Sequence, residues 1–209
     1  MMAKLTLLEM GNKMIGLTGV ARSGKDTFYS ILKKYLEDKG IKSQRLAFAD
    51  ALKNELHSFT KDKFKIDLLN CTPENKEVVR PLMVAYGKCR RIQTDGKYWT
   101  STIQPEVNEL ITSNIVPIIT DVRYIEYKDD EYSWLKNHNG ILIHIARKLD
   151  DGSVIQPANI EEKSNDNKLK AVADYSVCWE TCQDVNFLYE LMQKHLKNIY
   201  EKYIENKKI

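Results

Sequence analysis

One glycine-rich stretch, residues 19–27 (GVARSGKDT), limits the fold of this chain more than any other feature of its sequence. It follows the apolar run 14–17 and leads into residues whose apolar side chains recur at helical spacing. Strand, glycine-rich loop and helix in that order are the context in which the spacing G-x4-G-K indicates a phosphate-binding loop. The alternative is a glycine-rich turn that ends in Gly-Lys by coincidence.

Each part of this loop suits a bound phosphate. Glycine at positions 19 and 24 permits a positive φ and a close approach of the backbone to an anion. Successive N–H groups and the positive end of the next helix dipole then face the anion, and Lys25 brings an ammonium group to the β- and γ-phosphates. The next residue usually carries a hydroxyl for Mg²⁺; here it is Asp26, whose carboxylate is also a suitable Mg²⁺ ligand.

The composition is that of an ordinary globular protein. With 209 residues, 43% hydrophobic and 29% charged, the chain suits one domain, with or without an inserted lid, and disorder is excluded. A net charge of +3 is too small to indicate nucleic-acid binding. Apolar runs are too short to span a bilayer, residues 1–8 are too short for a signal peptide, and the cysteines lack CxxC spacing. We therefore expect reduced thiols and a cytoplasmic location.

Alternating strand and helix patterns predict an α/β fold of about five strands. Strands are predicted at residues 14–17, 43–49, 115–120, 141–146 and 174–179. Helices are predicted at residues 25–39, 51–59, 72–86, 98–111, 124–137 and 185–204, after a frayed leader at residues 1–12. Because each crossover is long enough to hold a helix, the strands should form a parallel sheet between helical layers.

Four features interrupt these patterns. Residues 61–70 are charged and predict a loop. Pro81 should kink or split the helix that Thr72 and Pro73 begin, and Pro105 should interrupt the next one. Residues from about 148 to 172 are polar without a clear period, which predicts a mobile loop or lid.

Charged residues follow the predicted ends of other strands, where parallel sheets bind their ligands. Asp121 directly follows the apolar run 115–120, the place of an acid that holds a Mg²⁺ water, and capping of the next helix is the alternative. Asp50 follows the second strand and is a candidate for binding an acceptor, or again a helix cap. Guanidinium groups suit phosphate oxygens, although any single one is also explained as a surface residue. Those expected near this edge are Arg80, Arg90, Arg91, Arg123 and Arg147.

Three of these stretches together resemble the phage deoxynucleoside monophosphate kinases: residues 19–27, 48–53 (FADALK) and 120–124 (TDVRY). Residues 80–83 (RPLM) and the following segment to Trp99 resemble the part that this family places between its second and third strands. Order and spacing agree over residues 13–147. The Gly-Lys-Asp-Thr form of the loop occurs in few other families, one being the animal-type phosphomevalonate kinases.

The resemblance implies one P-loop domain like that of the nucleoside monophosphate kinases. Its core would comprise about 13–58 and 113–204, with an acceptor-binding helical insert at about 59–112 and a lid at about 148–172. It also implies transfer of the γ-phosphate of ATP, with Mg²⁺, to a deoxynucleoside monophosphate (dNMP), giving the diphosphate for DNA precursor synthesis.

The resemblance further implies roles for individual residues. Those for ATP would be Gly19, Ala21, Arg22, Ser23, Gly24, Lys25, Asp26, Thr27 and Arg147. Those for the dNMP would be Asp50, Lys53, Arg80, Arg90, Arg91, Trp99 and Arg123. The catalytic residues would be Lys25, Arg22, Asp50 and Arg123, and the Mg²⁺ ligands Asp26 and Asp121.

Two other functions stay open. One is a different small-molecule kinase on the same fold, acting on phosphomevalonate or dephospho-coenzyme A. The other is a nucleotide-binding protein that regulates a partner without catalysis. The acceptor-side arginines and the Trp99 segment favour a kinase, because a switch needs no second phosphate site. The expected partner is therefore a small molecule, with no nucleic acid and no membrane, and a homodimer is compatible with this interpretation.

Overall fold

The computed structural model describes residues 14–182 and 184–204, in which a parallel sheet lies between two layers of helices. Strands β1 to β5 are Ile15–Thr18, Lys42–Leu46, Ile115–Ile119, Ile141–Lys148 and Tyr175–Glu180. Helices α1 to α7 are Lys25–Asp38, Phe48–Phe64, Pro73–Gln93, Lys97–Thr112, Glu131–Asn137, Ile160–Val172 and Val185–Ile199, followed by the π-helical turn Tyr200–Ile204. The predicted three-layer α/β fold is confirmed, and the predicted leader 1–12 lies outside the described residues.

The strand order in the sheet is β2-β3-β1-β4-β5, with every neighbouring pair parallel. Ile15 of the central strand β1 is aligned with Ile118 of β3 on one side and Ile141 of β4 on the other. All carboxyl ends therefore share one edge of the sheet. The segments that follow β1, β2 and β3 meet there, as the sequence pattern requires.

Two apolar cores, one on each face of the sheet, hold the layers together. On one face Leu17 and Ile143 belong to a cluster with residues of α1 and α7. On the other face Ile119 and Leu142 belong to a cluster with residues of α2, α4, α5 and α6. Successive strand residues point to opposite faces, so a strand covered on both sides has an unbroken apolar sequence. Among the described residues, no helix is both long and apolar enough to cross a bilayer.

Strand β2 is shorter than predicted and α2 is longer. The predicted strand 43–49 ends at Leu46, because Asp121 accepts hydrogen bonds from the N–H groups of Phe48 and Ala49 and so caps the start of α2. Asp50 consequently lies in the first turn of that helix. At its other end α2 continues to Phe64, through the first part of the predicted loop 61–70.

Neither internal proline ends its helix, so the predicted split at Pro81 and interruption at Pro105 are wrong, whereas the kink given as the other outcome at Pro81 stays a prediction. Helix α3 begins as predicted, with the side chain of Thr72 accepting from the N–H of Asn75, but it continues past Pro81 to Gln93. Helix α4 likewise continues past Pro105. Both prolines are exposed, so water can satisfy the carbonyl that the missing N–H leaves free.

The predicted mobile lid contains a regular helix. Residues 149–159 form an irregular loop in which Val154 makes a single antiparallel bridge to Lys148, while α6 occupies Ile160–Val172, with Asn159 as its N-cap. Only Asn165 and Leu169 of α6 are buried, which is too few to give the sequence a recognisable helical period. The division of the chain into core, insert and lid stays a prediction.

Residues 124–130 form a loop where a helix was predicted. The Asp130 carboxylate accepts from the N–H groups of Glu126 and Tyr127, both at 2.7 Å. These side-chain bonds replace the helical ones, which is how aspartate commonly competes with a helix. Helix α5 therefore begins only at Glu131.

Candidate functional site

The glycine-rich loop joins β1 to α1 with the backbone conformation that its sequence predicts. Gly19 and Gly24 have φ angles of 136° and 89°. A Cβ atom at Gly19 would lie 2.2 Å from the carbonyl oxygen of Ile145, and one at Gly24 would lie 2.1 Å from Cζ2 of Trp179. Only glycine fits at either position, so β4 and β5 fix the shape of the loop. Arg22, exposed between them, also has a positive φ of 65°.

Lys25 is the first residue of α1, and its ammonium group lies across the loop. Its Nζ atom donates to the carbonyl oxygens of Gly19 and Val20 at 2.7 and 2.8 Å. Burial, together with the positive charge of Arg123, lowers the pKa of Lys25 to about 8. A negative charge in the loop would act in the opposite direction, since an anion favours the charged ammonium.

Asp121 and Arg123 follow β3 and are close enough to Lys25 to influence its charge. Asp121 is buried, and its oxygens accept from the N–H groups of Phe48 and Ala49 at 2.9 and 2.8 Å. It therefore caps α2, which precedes it in sequence, and not the helix that follows it. Burial raises the pKa of Asp121, although the charge of Arg123 opposes that shift. Arg123 is exposed at this edge.

Arg45 bridges Asp26 and Asp50. It was not among the site residues predicted from the sequence. Arg45 donates from Nε to Asp26 at 3.2 Å and from Nη1 to Asp50 at 2.5 Å. Lys53 Nζ donates to the other oxygen of Asp50 at 2.6 Å. Burial opposes ionisation of Asp50, but the hydrogen bonds from Lys53 and Arg45 outweigh it and hold its pKa below the usual value. Four charged side chains thus adjoin the start of α1.

The two predicted Mg²⁺ ligands differ in accessibility. The Asp26 side chain is 79% exposed, whereas both oxygens of Asp121 are engaged by backbone amides. Within residues 14–182 and 184–204, no three His, Cys, Asp or Glu side chains cluster as a metal site would require. Mg²⁺ that keeps its waters and binds phosphate oxygens needs only one or two carboxylates, so Asp26 fits that role. The assignment of both acids to Mg²⁺ stays a prediction.

Arg91, a predicted substrate ligand, is buried in a network of its own. It donates to Asp130 at 2.9 Å and to Glu126 at 2.5 Å, and its guanidinium carbon lies 3.7 Å from the ring centre of Tyr124. Burial opposes the charge of Arg91, but the hydrogen bonds to Asp130 and Glu126 raise its pKa. Arg91 therefore ties α3 to the loop after β3.

Arg80 and Arg90, on the same helix α3, have different surroundings. Arg80 is exposed and pairs with Glu77, one turn before it. Arg90 is half-buried over the rings of Tyr86 and Tyr98, with its guanidinium carbon 5.2 and 4.7 Å from their centres. The predicted acceptor-side arginines of α3 thus have different partners, and their shared role in binding an acceptor stays a prediction.

Trp99 is a core residue, with 4% of its surface exposed. Its indole N–H donates to the carbonyl of Gly87 at 3.1 Å. Its ring forms T-shaped aromatic contacts with Tyr86 and Tyr98. The hydroxyls of these two tyrosines donate to opposite oxygens of Glu55, at 2.7 and 2.8 Å. Tyr86 and Tyr98, which sequence reasoning missed as site residues, are half-buried and so more exposed than Trp99.

The remaining predicted ATP residues lie in the loop, in the first turn of α1 and near the end of β4. Ser23 is buried, and its carbonyl accepts from the Trp179 indole N–H at 3.2 Å. Thr27 is half-buried in the first turn of α1. Arg147, near the end of β4, has its guanidinium carbon 5.8 Å from the Trp179 ring centre. The N–H of Ala21 donates to Glu162 of α6.

Trp179 and Glu162 are the loop contacts that sequence reasoning missed. They lie 156 and 141 positions away from the loop residues that they bond. No local pattern marks either residue, because the sheet order alone brings β5 and α6 to the loop.

No protein-family model matches the chain, and no curated protein matches it. One similar solved structure is the crystal structure of TT1252 from Thermus thermophilus, with 15% sequence identity and a TM-score of 0.42. The alignment covers 91% of this chain and 97% of that one.

Proposed function

We propose that this protein is a kinase that transfers the γ-phosphate of ATP, with Mg²⁺, to a deoxynucleoside monophosphate. The observation that carries the proposal is the position of Lys25. Its ammonium lies 2.7 and 2.8 Å from two loop carbonyls, under the electrostatic influence of Arg123 from the neighbouring strand end. A glycine-rich loop, a helix N-terminus and two cations at one sheet edge suit a polyphosphate.

On the donor side, the loop amides and Lys25 would hold the β- and γ-phosphates. Phosphoryl transfer requires alignment of donor and acceptor and neutralisation of charge, and it requires little covalent chemistry from the protein. Lys25, whose pKa is lowered to about 8 by burial and by Arg123, would gain charge as the phosphates enter. Mg²⁺ would neutralise phosphate oxygens, with the exposed Asp26 as its protein ligand.

On the acceptor side, Arg123 is an exposed guanidinium close enough to Lys25 to influence its charge, and it suits the phosphate that is being transferred. Asp50 and Lys53 adjoin the same edge and offer polar contacts. Tyr86 and Tyr98, held by Glu55 and with Arg90 over their rings, are the half-buried aromatic side chains that a base could contact. The acceptor phosphate is already nucleophilic at neutral pH, so the reaction needs no strong general base. The choice of a deoxynucleotide rests on the sequence resemblance.

A coupled assay of ADP release tests the proposal. The acceptors are the dNMPs, the ribonucleoside monophosphates, phosphomevalonate and dephospho-coenzyme A, each with ATP and Mg²⁺. We expect at least one dNMP to stimulate ADP release. Stimulation only by phosphomevalonate or dephospho-coenzyme A would assign the protein to another kinase class. Tight ATP binding without stimulation by any acceptor would favour the regulatory alternative.

A further inference from the structure

A carboxylate from helix α6 accepts a hydrogen bond from the backbone of the phosphate-binding loop. Glu162, in the first turn of α6, accepts a hydrogen bond from the Ala21 N–H to Oε1 at 2.8 Å. Its other oxygen, Oε2, accepts from the N–H of Ala158 at 2.6 Å. The Ala21 amide is one of the N–H groups that a loop of this kind presents to an anion.

Glu162 also lies close to the cations at this edge of the sheet. Burial lowers the pKa of Lys25, and the carboxylate of Glu162 is among the negative charges that oppose this shift. Glu162 also acts on Arg80, adding to the larger effect of Glu77 in raising its pKa. Glu162 is thus an anion among the cations that would otherwise face a phosphate.

Helix α6 is anchored along its length, so the contact does not depend on a swinging lid. Leu169 is 1% exposed in the core, and Asp166 lies 3.2 Å from His144 of β4. Ion pairs with α3 and with the loop after β3 add to this, Lys88–Glu161 and Lys168–Glu126, both at 3.5 Å. Release of the loop therefore needs only a rotation of the Glu162 side chain.

We propose that Glu162 is an internal competitor for the phosphate site. Its carboxylate holds the loop in the nucleotide-free protein and must leave the Ala21 amide before a phosphate oxygen can accept the same proton. This inference rests on the proposed function and adds to it a control on nucleotide affinity. The displaced carboxylate keeps the Ala158 amide and the nearby charge of Arg80 as partners.

The competition has a measurable consequence. When only a fraction of the protein is competent to bind, the apparent dissociation constant rises in inverse proportion to that fraction. One hydrogen bond to a charged group corresponds to about a tenfold change in an equilibrium constant. Because the competition concerns a phosphate oxygen, it should affect ATP and inorganic triphosphate equally.

The test uses the full chain and three variants. Glu162→Ala removes the competitor, and Glu162→Gln keeps its length while removing the charge. Glu161→Gln is the matched control, since Glu161 lies on the same helical turn but pairs with Lys88 of α3. Titration calorimetry with ATP and with inorganic triphosphate, both with Mg²⁺, gives the dissociation constants, and thermal unfolding reports whether each variant is folded.

We expect Glu162→Ala to lower the dissociation constant of both ligands about tenfold. Glu162→Gln should lower it less, and Glu161→Gln should leave it close to that of the wild type. Unchanged or weaker binding in a folded Glu162→Ala protein overturns the inference, as does a gain for ATP alone. If Glu162→Ala does not fold, the dissociation constants of Glu162→Gln are used instead, and unchanged or weaker binding of both ligands overturns the inference. Wild-type binding without any phosphoryl transfer contradicts the proposed function alone, whereas binding of neither ligand by any variant contradicts both.

Discussion

The Trp179 side chain of β5 donates a hydrogen bond of 3.2 Å to the backbone carbonyl of Ser23 in the glycine-rich loop. The same ring occupies the space beside Gly24 where any larger residue would place its Cβ atom. The last strand of the sheet therefore supports the loop after the first strand, and the conformation of the loop depends on this contact.

The first prediction concerns that support. Trp179→Phe keeps an aromatic ring but removes the N–H, so we expect a loss of about 1 kcal/mol in unfolding free energy and weaker ATP binding. Trp134→Phe is the matched control, because the Trp134 indole N–H donates to Gln104 at 2.6 Å. Urea unfolding and ATP titration of both variants provide the measurement. Unchanged ATP binding in Trp179→Phe would contradict the supporting role.

The second prediction concerns Arg91. Its removal leaves Asp130, which is fully buried, without its cation, and breaking a buried pair in this way typically costs about 3–5 kcal/mol. We expect Arg91→Ala to lower the unfolding free energy by about that amount. Arg90→Ala, one position earlier, should change it little because Arg90 lies over two tyrosine rings nearer the surface. Equal stability of the two variants would show that the network contributes nothing.

The third prediction separates the acceptor from the donor. Arg123→Ala should raise the KM for the dNMP about tenfold or more, because charge-assisted hydrogen bonds to its phosphate are lost. The KM for ATP should change much less, since the loop and Lys25 hold the ATP phosphates. Lys128→Ala removes a charge from an exposed position of the same loop and serves as the control. Loss of ATP affinity with an unchanged dNMP KM would mean that the two sides are reversed.

The fourth prediction concerns pH. Burial, and next the charge of Asp121, raise the pKa of Glu131 from 4.5 to about 8. Between these values the folded protein binds a proton that the unfolded chain has released, so stability must fall as pH rises. The contribution of Glu131 is therefore fully present below pH about 4.5 and is lost as pH passes about 8.

Glu131→Gln tests this directly, since its amide oxygen can still accept from the N–H groups of Arg123 and Tyr124. Urea unfolding at several pH values between 5 and 8 should give the wild type a decline that the variant lacks. Parallel pH profiles of the two proteins would contradict a neutral Glu131.

The fold could be predicted where a structural feature follows from residues that are close together in the sequence. The positive φ angles at Gly19 and Gly24 follow from the spacing in the loop, and the buried strands follow from apolar runs. The length of α2 could not be predicted, because its start depends on Asp121, which lies 73 positions beyond Phe48. Helix α6 was missed for a different reason: only two of its residues are buried, so its sequence has no clear helical period.

The candidate site was predictable only where its residues follow strand ends. Lys25, Asp121 and Arg123 meet at the sheet edge because parallel strands end together. The sequence could not show that Arg91 is engaged by Asp130, or that Glu162 reaches Ala21 from 141 positions away. Such contacts depend on how the layers pack, which no local period records.

One measurement tests the central claim most directly, namely transfer of label from γ-labelled ATP to each dNMP in the presence of Mg²⁺. We predict labelled diphosphate with at least one dNMP, and a decrease of about 10²- to 10³-fold in Lys25→Ala. Lys33→Ala, which removes a half-exposed lysine of the same helix α1, should retain the wild-type rate. Label that stays in ATP or appears only as inorganic phosphate with every dNMP would contradict the account.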